Sequence, residues 1–485
     1  MRFLFRAFLF ICLTFPFLIL STKFNLALGF SLEELIWTLK NTFYQSTISA
    51  LVGFSGGLLL ASGLLYIESM GLHKIRNSLN WILLIPNIIP SLFIILFCLN
   101  SIDPFPMGLM GISIIHAVMY SGLIGVTLAK VFEAKLGALS ELALIEGTGT
   151  LRFYFLGAFP ILKSDIFHLL SYIFILSFMS FSVPLIVGGG RGTTLEVLIY
   201  EKVRLSNEWG QAISLSLFQS ILLGLFGWIP TNKSFNIRGR SQYNLKILSS
   251  FLGVIFLFFY IWIWAGSYLV SLPEAFLSLK NIFDWEVFQQ ALINSTVIGT
   301  LTGILIFMIL SGVVYFYPDR AIEKIILFFM TPSAVLYGFS CLFFGPNIGW
   351  ISIFKLVFCC TFMSLISLYR AGLKQNLSEL DKQLEITSTM TENLNLRFQW
   401  ILGPQALKTV GFLSGLGAVW SLGDFALSKI LFTQEHTLAL EVETLMSTYR
   451  LNAAMGMSFI LLILSLILFY FFWSLGDVIS RKFIS

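Results

Sequence analysis

Glu141, Ala143, Gly147 and Pro160 lie on a polar stretch between two long apolar runs, and Glu385, Thr391, Ile401 and Pro404 lie on another. Glu141 and Pro160 are 19 positions apart, and so are Glu385 and Pro404. These residue types do not make a catalytic set. An acid at the start, a glycine that permits a bend and a proline that fixes the chain's return suit a mechanical role. A short amphipathic helix held in this way can dock into a partner's groove. Phe153, Tyr154 and Phe155 supply apolar contacts in the first stretch, and Leu394, Leu396, Phe398 and Trp400 in the second. Two docking segments imply a two-lobed partner, most simply a dimer.

Inside the apolar runs, ionisable residues are few. Asp424 has Trp420 and Phe425 beside it, and a carboxylate among aromatics suits an organic cation on a translocation path. Lys355 is expected at a similar depth. Charges within a membrane are costly and usually paired, so a Lys355–Asp424 ion pair is a competing role, as is Asp424 capping a broken helix. His116 stands alone in an apolar run, where packing competes with proton relay. The glycine-rich run 188–192 lacks the Lys-Ser/Thr ending of a phosphate loop and reads as a turn. No Walker-type loop occurs, so ATP hydrolysis would need a separate subunit. There is no HExxH, no carboxylate cluster and no Ser/His pairing to suggest an enzyme. The five cysteines all sit in apolar runs without a CxxC, so neither a metal site nor a cofactor is expected.

The elements that position these residues follow from composition. Apolar residues make up 57% of the chain, charged residues 11%, and the mean hydropathy is +0.88, values that only a polytopic membrane protein reaches. The net charge of +5 does not signal nucleic acid, because the basic residues cluster at the ends of apolar runs. Arg2 and Arg6 precede a run long enough to span, which reads as a first transmembrane helix rather than a signal peptide. A bilayer core takes about 20 apolar residues per helix. Twelve segments qualify, at 3–22, 44–67, 81–99, 107–131, 165–187, 211–230, 248–271, 293–316, 325–344, 348–369, 407–431 and 453–475. With the N-terminus inside, the inner segments hold 21 of the 30 Lys and Arg residues and the outer ones 8, with Lys355 within a helix. Both Glu…Pro stretches and both termini then face the cytoplasm.

The chain also repeats itself. Thr194-Leu195-Glu196-Val197 echoes Ala439-Leu440-Glu441-Val442, Arg204-Leu205-Ser206-Asn207 echoes Arg450-Leu451-Asn452-Ala453, and Asn41-Thr42 echoes Asn294-Ser295. The reading is an all-α polytopic protein of two parallel six-helix halves, 1–235 and 236–485, joined by the basic stretch 231–244.

The spacing of the two polar stretches resembles the EAA loop of binding-protein-dependent ABC importer permeases: Glu-Ala-Ala, three residues, Gly, nine residues, then Ile-x-Leu-Pro. Glu141, Ala143, Gly147 and Pro160 match it. Glu385, Ile401 and Pro404 match it in the second half, where Thr391 replaces the glycine. Two permease halves in one chain resemble the thiamine and iron(III) importers. Gly188-Gly189-Gly190, Thr193-Thr194-Leu195-Glu196 and Ile199-Tyr200, with Ser421-Leu422-Gly423-Asp424-Phe425 and Ser447-Thr448-Tyr449-Arg450 in the second half, are similar to the thiamine-transport permeases. The resemblance implies a type I importer permease fold in a bacterial inner membrane. It also implies a pair of cytoplasmic ATP-binding subunits and a periplasmic substrate-binding protein as partners, with thiamine as cargo and iron(III) as the alternative. A secondary transporter driven by an ion gradient is the alternative from another class; it would need a buried ionisable network built from Lys355, Asp424 and His116.

Overall fold

The computed structural model of the chain is helical, with no strand among the described residues, which are 1–22, 31–190, 192–227, 246–280, 284–328, 333–346, 348–374, 376–377, 380, 396, 398–432 and 435–482. The helices of the first half are α1 (Arg2–Ser21), α2 (Leu32–Ser69), α3 (His73–Ile88), α4 (Ser91–Ser101), α5 (Leu109–Ile145), α6 (Phe159–Phe178), α7 (Ser182–Val187), α8 (Leu195–Arg204) and α9 (Trp209–Gly227). Those of the second are α10 (Phe251–Ile261), α11 (Ser267–Lys280), α12 (Trp285–Tyr315), α13 (Arg320–Phe328), α14 (Ala334–Leu342), α15 (Trp350–Leu368), α16 (Gly403–Leu422), α17 (Phe425–Leu431), α18 (Leu438–Ser447) and α19 (Leu451–Lys482).

Among the described residues, seven continuous helical stretches are long and apolar enough to cross a bilayer, or nine if each of two bent pairs counts as one span. The chain is therefore a multi-pass membrane protein. One bent pair is α3–α4, broken by 105°. Pro90 causes the break: the residue before a proline avoids the helical region, and Ile89 is extended at ψ 153°. The other is α16–α17, bent by 57° at Gly423 and Asp424. The three remaining segments of the expected twelve fall on α1, on α9, and on α13 with α14, between which residues 329–332 lie outside the described set.

By packing, the chain divides into two compact units. Unit A comprises Met1–Gly29, Leu198–Gly224 and Glu274–Ser485; unit B comprises Phe30–Val197 and Leu225–Pro273. Packing and sequence repeat thus partition the chain differently. Within unit A, Leu20 of α1 packs with Ile213 of α9 and Leu336 of α14. The same α1 is tied at its start by Arg6, whose Nε and Nη2 donate to Asp319 Oδ2 at 3.0 and 2.6 Å. Within unit B, α10 crosses α2 where Gly63 meets Gly253, so closely that a Cβ on Gly63 would lie 2.5 Å from the Gly253 carbonyl oxygen. Small residues at a crossing let helix backbones approach in a membrane, where no hydrophobic effect drives them together. Tyr260 of α10 then reaches α5, donating to the Val118 carbonyl at 2.7 Å.

Asp319 also accepts from the backbone of Ala321 at 3.0 Å and of Ile322 at 3.4 Å, so it caps α13 while holding α1. Desolvation alone would raise its pKa, but the Arg6 guanidinium and the two amides outweigh it and hold the carboxyl below its ordinary 3.8. A group whose folded pKa is depressed adds stability that is complete above the unfolded value and is lost as pH falls through the folded one. Wild type is expected to melt higher than Asp319→Asn at neutral pH, with the gap closing below about pH 4. Melting of both proteins across that range checks this.

The Asn-Thr and Asn-Ser pairs make the same hydrogen-bond pattern. In unit B, Asn41 Nδ2 donates to the Thr193 carbonyl at 3.4 Å, and Thr42 Oγ1 accepts from the Leu195 amide at 2.9 Å. In unit A, Asn294 Nδ2 donates to the His436 carbonyl at 2.9 Å, and Ser295 Oγ accepts from the Leu438 amide at 2.9 Å. Each pair takes an amide at the start of a ten-residue helix, α8 or α18, which would otherwise be orphaned in an apolar interior. These bonds align Thr194 with Thr437, not with Ala439 as matching Glu196 to Glu441 requires. Thr42→Val leaves a buried amide unpaired and is expected to cost about 1–3 kcal/mol, and Ser295→Ala a similar amount; detergent-phase thermal melts measure both.

Candidate functional site

The Glu141–Pro160 segment is built by the way α5 ends. After Ile145 and Glu146 the chain turns at Gly147, which has φ +63°. The Gly147 amide donates to Leu144 O at 3.3 Å and the Thr148 amide to Ala143 O at 2.9 Å. This pair of reversed bonds is the Schellman ending, which places a left-handed residue one position past the cap. Gly147 fills that position because a side chain there is strained by about 1–2 kcal/mol. Ala143, itself buried, supplies the carbonyl that closes the turn.

A new helix starts at Thr150 and runs without a stop to Phe178, but residues Phe153–Ala158 form a π-helical stretch. Pro160 follows directly, at the start of α6. In a regular α-helix the proline ring would collide with the carbonyl four residues back, and a local widening relieves this. The second half repeats the arrangement: the π-helical stretch Phe398–Leu402, which contains Ile401, leads into α16 with Pro404 in its first turn. Glu385 and Thr391 lie outside the described residues.

The apolar side chains divide in a way that spacing alone did not reveal. Phe153 is turned inward and buried, and Tyr154 is half-buried. Ile145, Leu151, Phe155 and Leu156 point out, each 70% exposed or more. Four large apolar groups thus lie exposed on one short segment, the knuckle between α5 and α6. Its base is closed by an ion pair between α5 and α6, Lys135 Nζ to Asp165 Oδ2 at 2.5 Å.

Asp424 and Lys355 both serve helix ends. Asp424 Oδ1 accepts from the Leu427 amide at 2.9 Å and so caps α17. Lys355 Nζ donates to the carbonyls of Gly345 at 2.9 Å and Leu342 at 3.5 Å, where a cation complements the C-terminal end of α14. Trp420 is half-buried on α16, one turn before Asp424. Asn caps as well as Asp, so Asp424→Asn is expected to leave stability nearly unchanged, whereas Asp424→Ala costs about 1 kcal/mol. Chemical or thermal denaturation of the two variants separates a cap from a charge that needs a partner.

In unit B, His116 is fully buried on α5, with Nδ1 at 3.3 Å from Ser49 Oγ on α2. Gln45, one turn earlier on α2, donates to the Ser177 carbonyl of α6 at 2.8 Å. His116 thus belongs to a small polar seam between α2, α5 and α6. Among the described residues no group of three metal-ligating side chains occurs.

Arg76 and Lys135, two of the basic residues on the inner side of the topology count, are structural ties. Arg76, buried at the start of α3, reaches Glu68 on α2 at 3.1 Å and also Glu133 on α5. His73 Nδ1 lies 2.8 Å from Glu68 Oε1. Local spacing does not reveal a bond between positions 76 and 133, because it depends on how α3 folds back. Comparison with models of known families, with curated proteins and with solved structures found no match.

Proposed function

We propose that the chain is the transmembrane permease of an ATP-driven importer, with two fused halves, about twelve transmembrane helices and its termini in the cytoplasm of a bacterium. The observation that carries this reading is the knuckle between α5 and α6. A capped turn at Gly147, with Ile145 at the end of α5 and Leu151, Phe155 and Leu156 on the following helix all exposed, and an ion-paired base give an apolar surface on the side that the Lys and Arg count assigns to the cytoplasm. The surface suits a groove in a separate cytoplasmic ATPase subunit, and the π-helical stretch before Pro404 marks the second docking place. A periplasmic binding protein would deliver the ligand. ATP-driven closure of the two ATPase subunits would favour one arrangement of the permease over another by differential affinity.

The cargo that fits best is thiamine, on the residues around 188–200 and 421–454 that resemble thiamine permeases; iron(III) is the runner-up. Affinity purification of the tagged chain from its native membrane tests the class. An ATP-binding subunit in about two copies per chain is expected, with Glu141→Lys weakening its retention. Purification of the wild-type chain without any ATPase would turn the reading towards an ion-coupled transporter.

A further inference from the structure

We propose that Arg76 is a positioning residue that makes the α2–α3 turn move as one body with the stem of the Glu141–Pro160 loop. The inference rests on the importer reading and adds a route by which loop displacement reaches the membrane helices. Glu133 lies eight residues before Glu141 on the same helix, about 12 Å at 1.5 Å per residue. Arg76 grips it and at the same time holds Glu68, the last turn of α2. One guanidinium nitrogen, Nη1, therefore joins three helices: α2, α3 and the loop-bearing α5. Its side chain is 9% exposed, so water competes little for these bonds. Lys135–Asp165 fastens α6 to the same stretch of α5, leaving the loop stem clasped from both sides.

The second half holds a counterpart with its signs exchanged. Glu323, on the short helix α13 that follows the long α12, pairs with Lys374 at 2.8 Å. Lys374 lies eleven residues before Glu385, as Glu133 lies eight before Glu141. Arg76 and Glu323 each stand four positions into the short helix after the long one, counting from His73 and Arg320. The short helix thus carries the base in unit B and the acid in unit A, and the loop-bearing segment carries the opposite charge. The residue identities differ and the link persists, which is what a mechanical tie requires and a chance surface pair does not. The Glu323–Lys374 pair is more exposed, with side chains 34% and 48% accessible, so solvent screens it more than the Arg76 pair.

The test uses the full chain with its ATPase subunits in lipid nanodiscs. Spin labels at Lys74 and Ala138 report the separation of α3 and the loop stem, with and without bound ATP. In wild type the distance distribution is expected to be the same in both states. In Arg76→Gln it is expected to shift or at least double in width on ATP binding, with cargo moved per ATP falling at least fivefold. The exchanged pair Arg76→Glu/Glu133→Lys, which adopts the polarity of the second half, is made together with Glu68→Gln so that no second carboxylate faces position 76, and should restore both readouts. If Arg76→Gln does not fold, Arg76→Lys keeps the charge on a more flexible stem and should give an intermediate width. A wild-type separation that changes with ATP, a variant that behaves as wild type, or an exchanged pair that folds without restoring the fixed distance overturns the proposal while the importer reading stands. A wild-type chain that binds no ATPase rejects that reading, and the proposal with it.

Discussion

Leucine at Gly411 is expected to cost the protein its folded state. Gly411 on α16 faces Gly476 on α19, and a Cβ added there would lie 2.7 Å from both the Gly476 Cα and the Phe472 carbonyl oxygen. Backbone atoms cannot rotate away as a side chain end can, so the helices must separate. Overpacking costs about 1–3 kcal/mol where side chains can shift, and more where they cannot. Separation would also expose Ser480, whose hydroxyl now donates to the Pro404 carbonyl at 2.5 Å, and would disturb the start of α16 beside the second loop. Native stabilities are about 5–15 kcal/mol, so this one change removes a large share. Size-exclusion profiles in detergent should show Gly411→Leu mostly aggregated. Gly149→Ala, with open space around its Cβ and an ordinary φ of −63°, should elute as wild type. A Gly411→Leu protein that elutes and melts like wild type would contradict the close crossing.

On the importer reading, aspartate at Phe155 should have the opposite profile: a stable protein that no longer holds the proposed ATPase subunit. Phe155 is 72% exposed on the knuckle, which the importer reading places in the cytoplasm, so on that reading a charge there leaves the fold intact. In a complex it would be the kind of aromatic anchor that carries binding energy, with truncations at such positions costing about 2 kcal/mol or more. A tenfold loss of affinity corresponds to about 1.4 kcal/mol. ATPase retained on the purified Phe155→Asp chain is therefore expected to fall at least tenfold, with the melting temperature unchanged. Phe153→Ala provides the contrast. Phe153 is buried, so its loss should lower the melting temperature by opening a cavity. Full retention of ATPase by Phe155→Asp would show that the knuckle is not a docking element.

The membrane class and the position of the long helices are legible in the sequence because each rests on many residues at once. Apolar runs of the right length sum over about 20 positions, and a single misjudged residue changes little. The loops are legible for a different reason: glycine and proline impose backbone geometry locally, and Gly147 and Pro160 do so whatever the rest of the chain does. Features set by how helices fold back on one another are not. The Arg76–Glu133 tie depends on the course of α3, and the crossing of Gly63 with Gly253 joins helices from the two sequence halves. Asp424 shows the limit from the other side. Spacing suggested an ion pair, a ligand contact or a cap, and only the backbone bend at Gly423 places the carboxylate over the Leu427 amide. The two-residue difference between matching Glu196 to Glu441 and matching the helix starts has the same origin, since Leu195 and Leu438 are fixed by bonds to distant Thr42 and Ser295.

Transport itself tests the central claim most directly. Cells producing the chain with the proposed ATPase and binding-protein partners would be given labelled thiamine, with and without ATP depletion, and ferric iron in parallel. Thiamine accumulation that stops when ATP is removed is the predicted result; ATP-dependent iron accumulation would keep the mechanism and change the cargo. Accumulation that survives ATP depletion and collapses with the proton gradient would contradict the account.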